Sequence, residues 1–165
     1  MMSEVHKFYI KGHEVLIDKD KVELVLKYRW FINGSTKKGF YVIANTVKNN
    51  KKTCVSMHRY LMNAKEGQIV DHINRNTFDN RLENLRFCTH RENSCNRTSK
   101  KNSSSKFLGV SVRFNKHTTT FKSSIRINGV SIGLGIYNDE IKAAKAYNEA
   151  AIKYHGEFAN LNKFE

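Results

Sequence analysis

Apolar and polar positions alternate along this chain in short runs that change period twice. Residues 7–17 and 40–57, rich in Phe, Tyr, Val and Ile, read as strands, and residues 19–28 read as a short helix preceded by Asp18. Ser56 is placed to cap a helical turn over residues 57–62, which Lys65, Glu66 and Gly67 then break. Residues 68–73 and 85–89 read as two more strands around a loop rich in Asn and Asp. A helix is expected to begin near Thr89, because Thr89 and Glu92 have the spacing of a capping box. Three alternating strands follow at 107–114, 119–127 and 130–137, and Asn128-Gly129 between the last two is a hairpin turn pair. From Asp139 to His155 the period becomes helical. Ile141, Ala144, Tyr147, Ala151 and Ile152 fall on one face, and Gly156 stands where a C-cap glycine belongs.

These elements predict an α+β protein. In its second half the alternation assigns Val110, Val112, Phe114, Phe121, Ile125, Ile127, Val130, Ile132, Leu134 and Ile136 to a sheet face covered by the helix. The opposite face receives Ser111, Arg113, Lys122, Ser124, Arg126, Ser131, Gly133 and Gly135. That face is basic and lined with small residues, so it can lie in a DNA major groove, with Arg reaching base edges and Lys and Ser reaching phosphates.

Charge sharpens this picture. Among 165 residues, Lys and Arg number 29 against 15 Asp and Glu, a net charge of +14, which makes a polyanion the natural partner. The excess is uneven: no acidic residue lies between Glu92 and Asp139, whereas Arg97, Lys100, Lys101, Lys106, Arg113, Lys116, Lys122 and Arg126 all do. No apolar run approaches the ~18–20 residues of a membrane span, and the polar start is unlike a signal peptide. A soluble, cytoplasmic protein is expected. Cys54, Cys88 and Cys95 show no C-x-x-C pairing and suit a reducing compartment; a zinc site of Cys88, Cys95 and His90 is the alternative use for two of them.

Candidate chemistry gathers between Val70 and Arg97. Hydrolysis of a phosphodiester needs a base to deprotonate water, a cation to neutralise charge on the phosphate and leaving oxygen, and ligands for that cation. Asp71, His72 and Asn93 are residues of these types. Adjacent residues on an ideal strand point to opposite faces, so Asp71 and His72 can converge only where the strand ends. Their spacing resembles that of the HNH, or ββα-metal, endonucleases, particularly the homing and mobile-element branch: Asn84 follows His72 by 12 positions and Asn93 follows it by 21.

The resemblance implies that His72 is the general base, that Asp71 and Asn93 ligate one divalent cation, and that Asn84 braces the loop and so orients His72. Oxygen ligands suit magnesium, or manganese, better than zinc. His90 is the alternative third ligand. His58 and Arg59 also resemble a stretch that precedes the motif in this branch, with packing or phosphate contact as their role. Arg86 is a candidate phosphate clamp and Asn96 a support for the metal site.

Residues 107–162, with FLGV, IGLGIY and AAKAYNEAAIKYHGEFANLN, are similar to the Apetala or ethylene-response-factor DNA-binding domain. That likeness places Arg113 and Arg126 at base-contacting positions, with Lys116 and Lys122 as phosphate candidates. Leu108, Ser111, Ser131 and Gly133 stand where its plant members usually carry Arg or Trp. The expected organisation is therefore a nuclease domain over 1–97, a basic Ser-rich linker over 98–106 and a DNA-binding domain over 107–165. The two resemblances together imply a phage or mobile-element homing endonuclease in a bacterial host cell. It would act on double-stranded DNA as a monomer or weak homodimer, by nicking or double-strand cutting, without a small-molecule cofactor or a membrane. A DNA-binding regulator built on an inactive nuclease scaffold is the alternative.

Overall fold

A computed structural model describes residues 4–36, 39–97 and 103–164, so residues 98–102 of the expected linker, with Lys100 and Lys101, lie outside the described residues. The chain is a mixed α and β protein with antiparallel sheets and few helices. Its contacts group residues 1–89 into one unit and 90–165 into another. Among the described residues no helix is long and apolar enough to cross a membrane.

The first unit opens with a hairpin of β1 (Val5–Ile10) and β2 (His13–Asp18). Lys11 and Gly12 at positive φ turn it, so the run 7–17 is two strands rather than one. After a 3-10 turn at Lys19–Lys21 and a short α1 (Val22–Val25) comes a sheet ordered β3 (Trp30–Ser35), β4 (Gly39–Lys48), β5 (Lys51–Ser56). The expected strand 40–57 is likewise a hairpin, turned at Asn49 and Asn50 with φ of 50° and 58°. The helix expected over 19–28 is shorter. Asp18 does not cap it; its carboxylate accepts the backbone N–H of Leu82 at 2.7 Å. Next come α2 (Met57–Leu61), which the Ser56 side chain does not cap, and the antiparallel pair β6 (Ile69–His72) and β7 (Leu85–Cys88).

The core of this unit is Val15, Ile17, Val25, Val42, Met57 and Leu61, each contributing about 1.5–3 kcal/mol by burial. Phe78 and Leu82, from the loop between β6 and β7, pack against it. The same loop is stitched to β2: Leu16 N–H donates to the Phe78 carbonyl at 2.9 Å, and Asn80 N–H donates to the Leu16 carbonyl at 2.8 Å. Scaffold and loop are thereby joined by both apolar burial and backbone pairing.

The second unit contains α3 (His90–Cys95), a sheet ordered β10 (Val130–Tyr137), β9 (Thr119–Ile127), β8 (Val110–Phe114), and α4 (Glu140–His155). Asn128 and Gly129, both at positive φ, close the β9–β10 hairpin. Asp139 caps α4 by accepting the Lys142 N–H at 2.7 Å.

Two expectations for this unit are corrected. The buried helix face is Ala143, Ala144, Tyr147, Ala150 and Ala151, whereas Ile141 and Ile152 are exposed. Small residues let α4 approach the sheet closely, and the larger isoleucines stand outside that contact. The register of β10 also shifts between Gly133 and Gly135. The extra residue reverses the alternation beyond it. Gly135 therefore lies opposite buried Ser123, Ile136 lies opposite Lys122 and is exposed, and Leu134 packs on the core. Val130, Ile132 and Phe114 of the expected inner face are exposed as well.

Candidate active site

β6 and β7 place Asp71 directly opposite Arg86, with His72 opposite Leu85. Arg86 donates from Nε and Nη2 to Asp71 Oδ2 at 3.2 and 3.0 Å, and both side chains are largely withdrawn from water. The guanidinium expected to clamp a phosphate is turned to the carboxylate expected to hold a cation. β6 ends at His72, and the chain turns at once: Arg75 N–H donates to the His72 carbonyl at 2.9 Å, with Arg75 at a φ of 64°.

His72 is only 4% exposed. Its Nε2 lies 3.4 Å from Asn80 Oδ1, and Asn80 Nδ2 in turn donates to the Thr77 carbonyl. That second bond turns the amide oxygen toward the imidazole. Burial lowers the His72 pKa from its ordinary value against the opposing pull of Asn80, Asp71 and Asp79. The ring is therefore neutral, as a base must be.

His58, buried on α2, stands edge-on to His72 with ring centroids 5.0 Å apart, and Tyr41 of β4 lies 5.6 Å from His58 and 6.5 Å from His72. Burial first, then His72 and Arg59, lowers the His58 pKa to about 3. Arg59 is a loop clamp: its guanidinium donates to the carbonyls of Lys65 and Gln68, just before β6.

Asn84 ties the loop together from within. Its Oδ1 accepts the Asn74 N–H at 2.9 Å, and its Nδ2 donates to the Asp79 carbonyl at 2.7 Å. Asp79, 2% exposed, takes both Nε and Nη2 of Arg81 and the Asn74 amide, each at 2.8 Å. Burial alone would push the Asp79 carboxyl up, but the Arg81 fork and the Asn74 amide hold it below the usual range. Asn74, Asp79, Asn80 and Arg81 were not singled out from the sequence, though their density in one loop is a visible trace. Tyr41 leaves no local trace, since a different sheet delivers it.

The remaining candidates lie in the second unit. His90 begins α3 and is exposed, Asn93 is exposed, and Asn96 is buried just beyond the helix. Arg97, Arg113, Lys116 and Arg126 are exposed, while Lys122 is half-buried between Ser111 and Ile136. Among the described residues no three His, Cys, Asp or Glu side chains gather to share a metal ion. The Asp71 carboxylate and the Asn93 amide oxygen are each hard oxygen donors by chemistry.

Comparison with known proteins adds two findings. The profile of the HNH endonuclease family matches residues 63–95, which span β6, the Asn-rich loop, β7 and α3. An uncharacterized HNH endonuclease of Acanthamoeba polyphaga mimivirus is 32% identical over 161 residues, a match covering 94% of this chain and 78% of the relative. No solved structure matches the chain.

Proposed function

Because this chain belongs to the HNH endonuclease family and is a nuclease, we propose that it is a metal-dependent DNA endonuclease of the homing type, steered to its target by the basic sheet of its second unit. The observation that carries the catalytic part is His72: a neutral imidazole at the end of β6, oriented by Asn80 and adjacent in sequence to Asp71. In this reading the His72 imidazole takes the proton of a water molecule that attacks phosphorus in line with the departing 3′-oxygen. Asn80 holds the ring, and Asn84 holds the loop that carries Asn80. Asp71 and Asn93 would hold a divalent cation, magnesium being the ion that best fits oxygen ligands, and that cation would supply charge neutralisation for the hydrolysis. The products carry 5′-phosphate and 3′-hydroxyl ends, the departing 3′-oxygen taking its proton from solvent water.

Arg113 contacts bases in this reading, with Lys116, Lys122 and Arg97 on phosphates. The test is incubation of supercoiled plasmid carrying candidate host DNA with the protein, with and without magnesium, beside His72→Ala. Nicked or linear product that requires both magnesium and His72 is expected, with the variant slower by about 10²–10⁴-fold. Equal cutting by His72→Ala would remove the base assignment. Binding without any cutting would favour a DNA-binding regulator on a nuclease scaffold.

A further inference from the structure

Within the second unit, α3, the residues preceding β8, the β9–β10 hairpin and α4 enclose a cavity of about 430 Å³. Arg91 and Arg97 line it from α3 and the residues just beyond, Arg126 from the end of β9, and Tyr147 and His155 from α4. Among the described residues no Asp or Glu lines it. Among the described residues none of the three arginines is in an ion pair, so no described carboxylate competes with an incoming anion for them. Each guanidinium offers five N–H donors in a planar fork that matches phosphate oxygens.

The other groups at the cavity are compatible with an anion. Burial pushes the Tyr147 phenol up to about 12, and it also raises the Cys95 thiol, so both keep their protons and neither adds negative charge. The His155 ring has Nε2 at 3.3 Å from the Arg126 carbonyl, while its Nδ1 is buried without a partner. Gly109 is needed beside Tyr147, because a Cβ there would fall 1.9 Å from the ring. The volume exceeds that of a lone phosphate and leaves room for the sugars on either side.

We propose that this cavity seats a backbone phosphate of the DNA, gripped by Arg91, Arg97 and Arg126. This rests on the reading above that the chain acts on DNA, and it adds a consequence for the nuclease motif. Arg91 and Asn93 are two positions apart on α3 and so project from different sides of the helix. Asn93 is not among the cavity residues. One helix thus carries a phosphate grip on one side and a proposed cation ligand on another, so seating the DNA fixes the helix that presents Asn93.

Full-length wild type, R91Q/R126Q and R91K/R126K are compared for binding to a labelled mixed-sequence duplex by fluorescence anisotropy, in EDTA, over a range of salt. The glutamine pair is expected to lose about tenfold in affinity and to flatten the slope of log K against log salt by about 0.9 for the phosphate lost. Its melting temperature should be unchanged, since both side chains are exposed. The lysine pair should keep the slope and recover part of the affinity. A folded glutamine pair with wild-type affinity and slope overturns the proposal. If inorganic phosphate raises the melting temperature of wild type but not of the glutamine pair, while duplex binding is equal, the cavity holds a small free anion and the DNA assignment is wrong. Because these measurements contain no magnesium, a failure of the nuclease reading shows separately, as an absence of plasmid cutting with binding intact.

Discussion

His72 and His58 share a dry corner in which neither ring is charged, and that shared neutrality has a measurable cost in acid. Unfolded, each would take a proton near pH 6.5; folded, His58 holds out to about pH 3. The unfolded chain therefore binds more protons between these values, so stability is full above about pH 6.5 and declines as pH falls toward 3, by up to about 1.4 kcal/mol per pH unit for one such proton. Thermal melts from pH 8 to pH 4 should show this slope, and His58→Phe should flatten it. Asn80→Ala removes the amide that orients His72 and should lower the cutting rate while leaving duplex affinity at the wild-type value, measured on plasmid and by anisotropy respectively. Asp71, His72 and Asn84 were legible as candidates because their identity and spacing lie within one short stretch. His58 was legible only as a neighbour with a packing or phosphate-contact role, and Tyr41 not at all, since its place beside the histidines depends on how β4 packs.

The loop between β6 and β7 behaves as an element of its own, with Asn84 as its internal tie and the Asp79–Arg81 fork as its anchor. Asn84→Ala leaves the buried Asp79 carbonyl and the Asn74 N–H without their partner and should cost about 1–3 kcal/mol. Asp79→Ala removes the acceptor of the Arg81 fork and of the Asn74 amide while Arg81 keeps Glu83, so it should cost about 3 kcal/mol, at the upper end of that range. Urea denaturation of each variant checks the order. In the second unit, Gly109→Ala meets both a φ of 76° and the Tyr147 ring, so a loss of about 1–3 kcal/mol is expected by the same measurement. Element boundaries here were readable where turn chemistry was overt, as at Asn128-Gly129, and were missed where a two-residue turn such as Lys11-Gly12 interrupted an otherwise continuous apolar run. Ile136 was misread as an inner-face residue, because alternation assumes an unbroken pleat and the bulge between Gly133 and Gly135 adds one residue to it, whereas Leu134 packs on the core as expected. Asp18 has the residue type and position of a helix cap, yet its partner is Leu82, 64 residues away, which no local pattern announces.

Across the whole chain the positive charge is shared. Residues 1–89 hold 16 basic against 9 acidic residues and residues 90–165 hold 13 against 6, so each half carries +7. Both halves are therefore drawn to a polyanion, and duplex affinity should fall linearly with log salt, by about 0.9 log unit per phosphate neutralised, in anisotropy titrations. The pairing of β2 with the loop has a consequence in time. Residues 16 to 18 leave the ribosome long before residues 78 to 82, and the backbone bonds between them close one of the longer loops in the first unit. Such a contact forms late, after the local hairpins. The nuclease loop of a nascent chain stays unbraced until that closure, so a half-made enzyme is an idle one, and cutting competence should appear in refolding only after the hairpin signal has already reached its plateau.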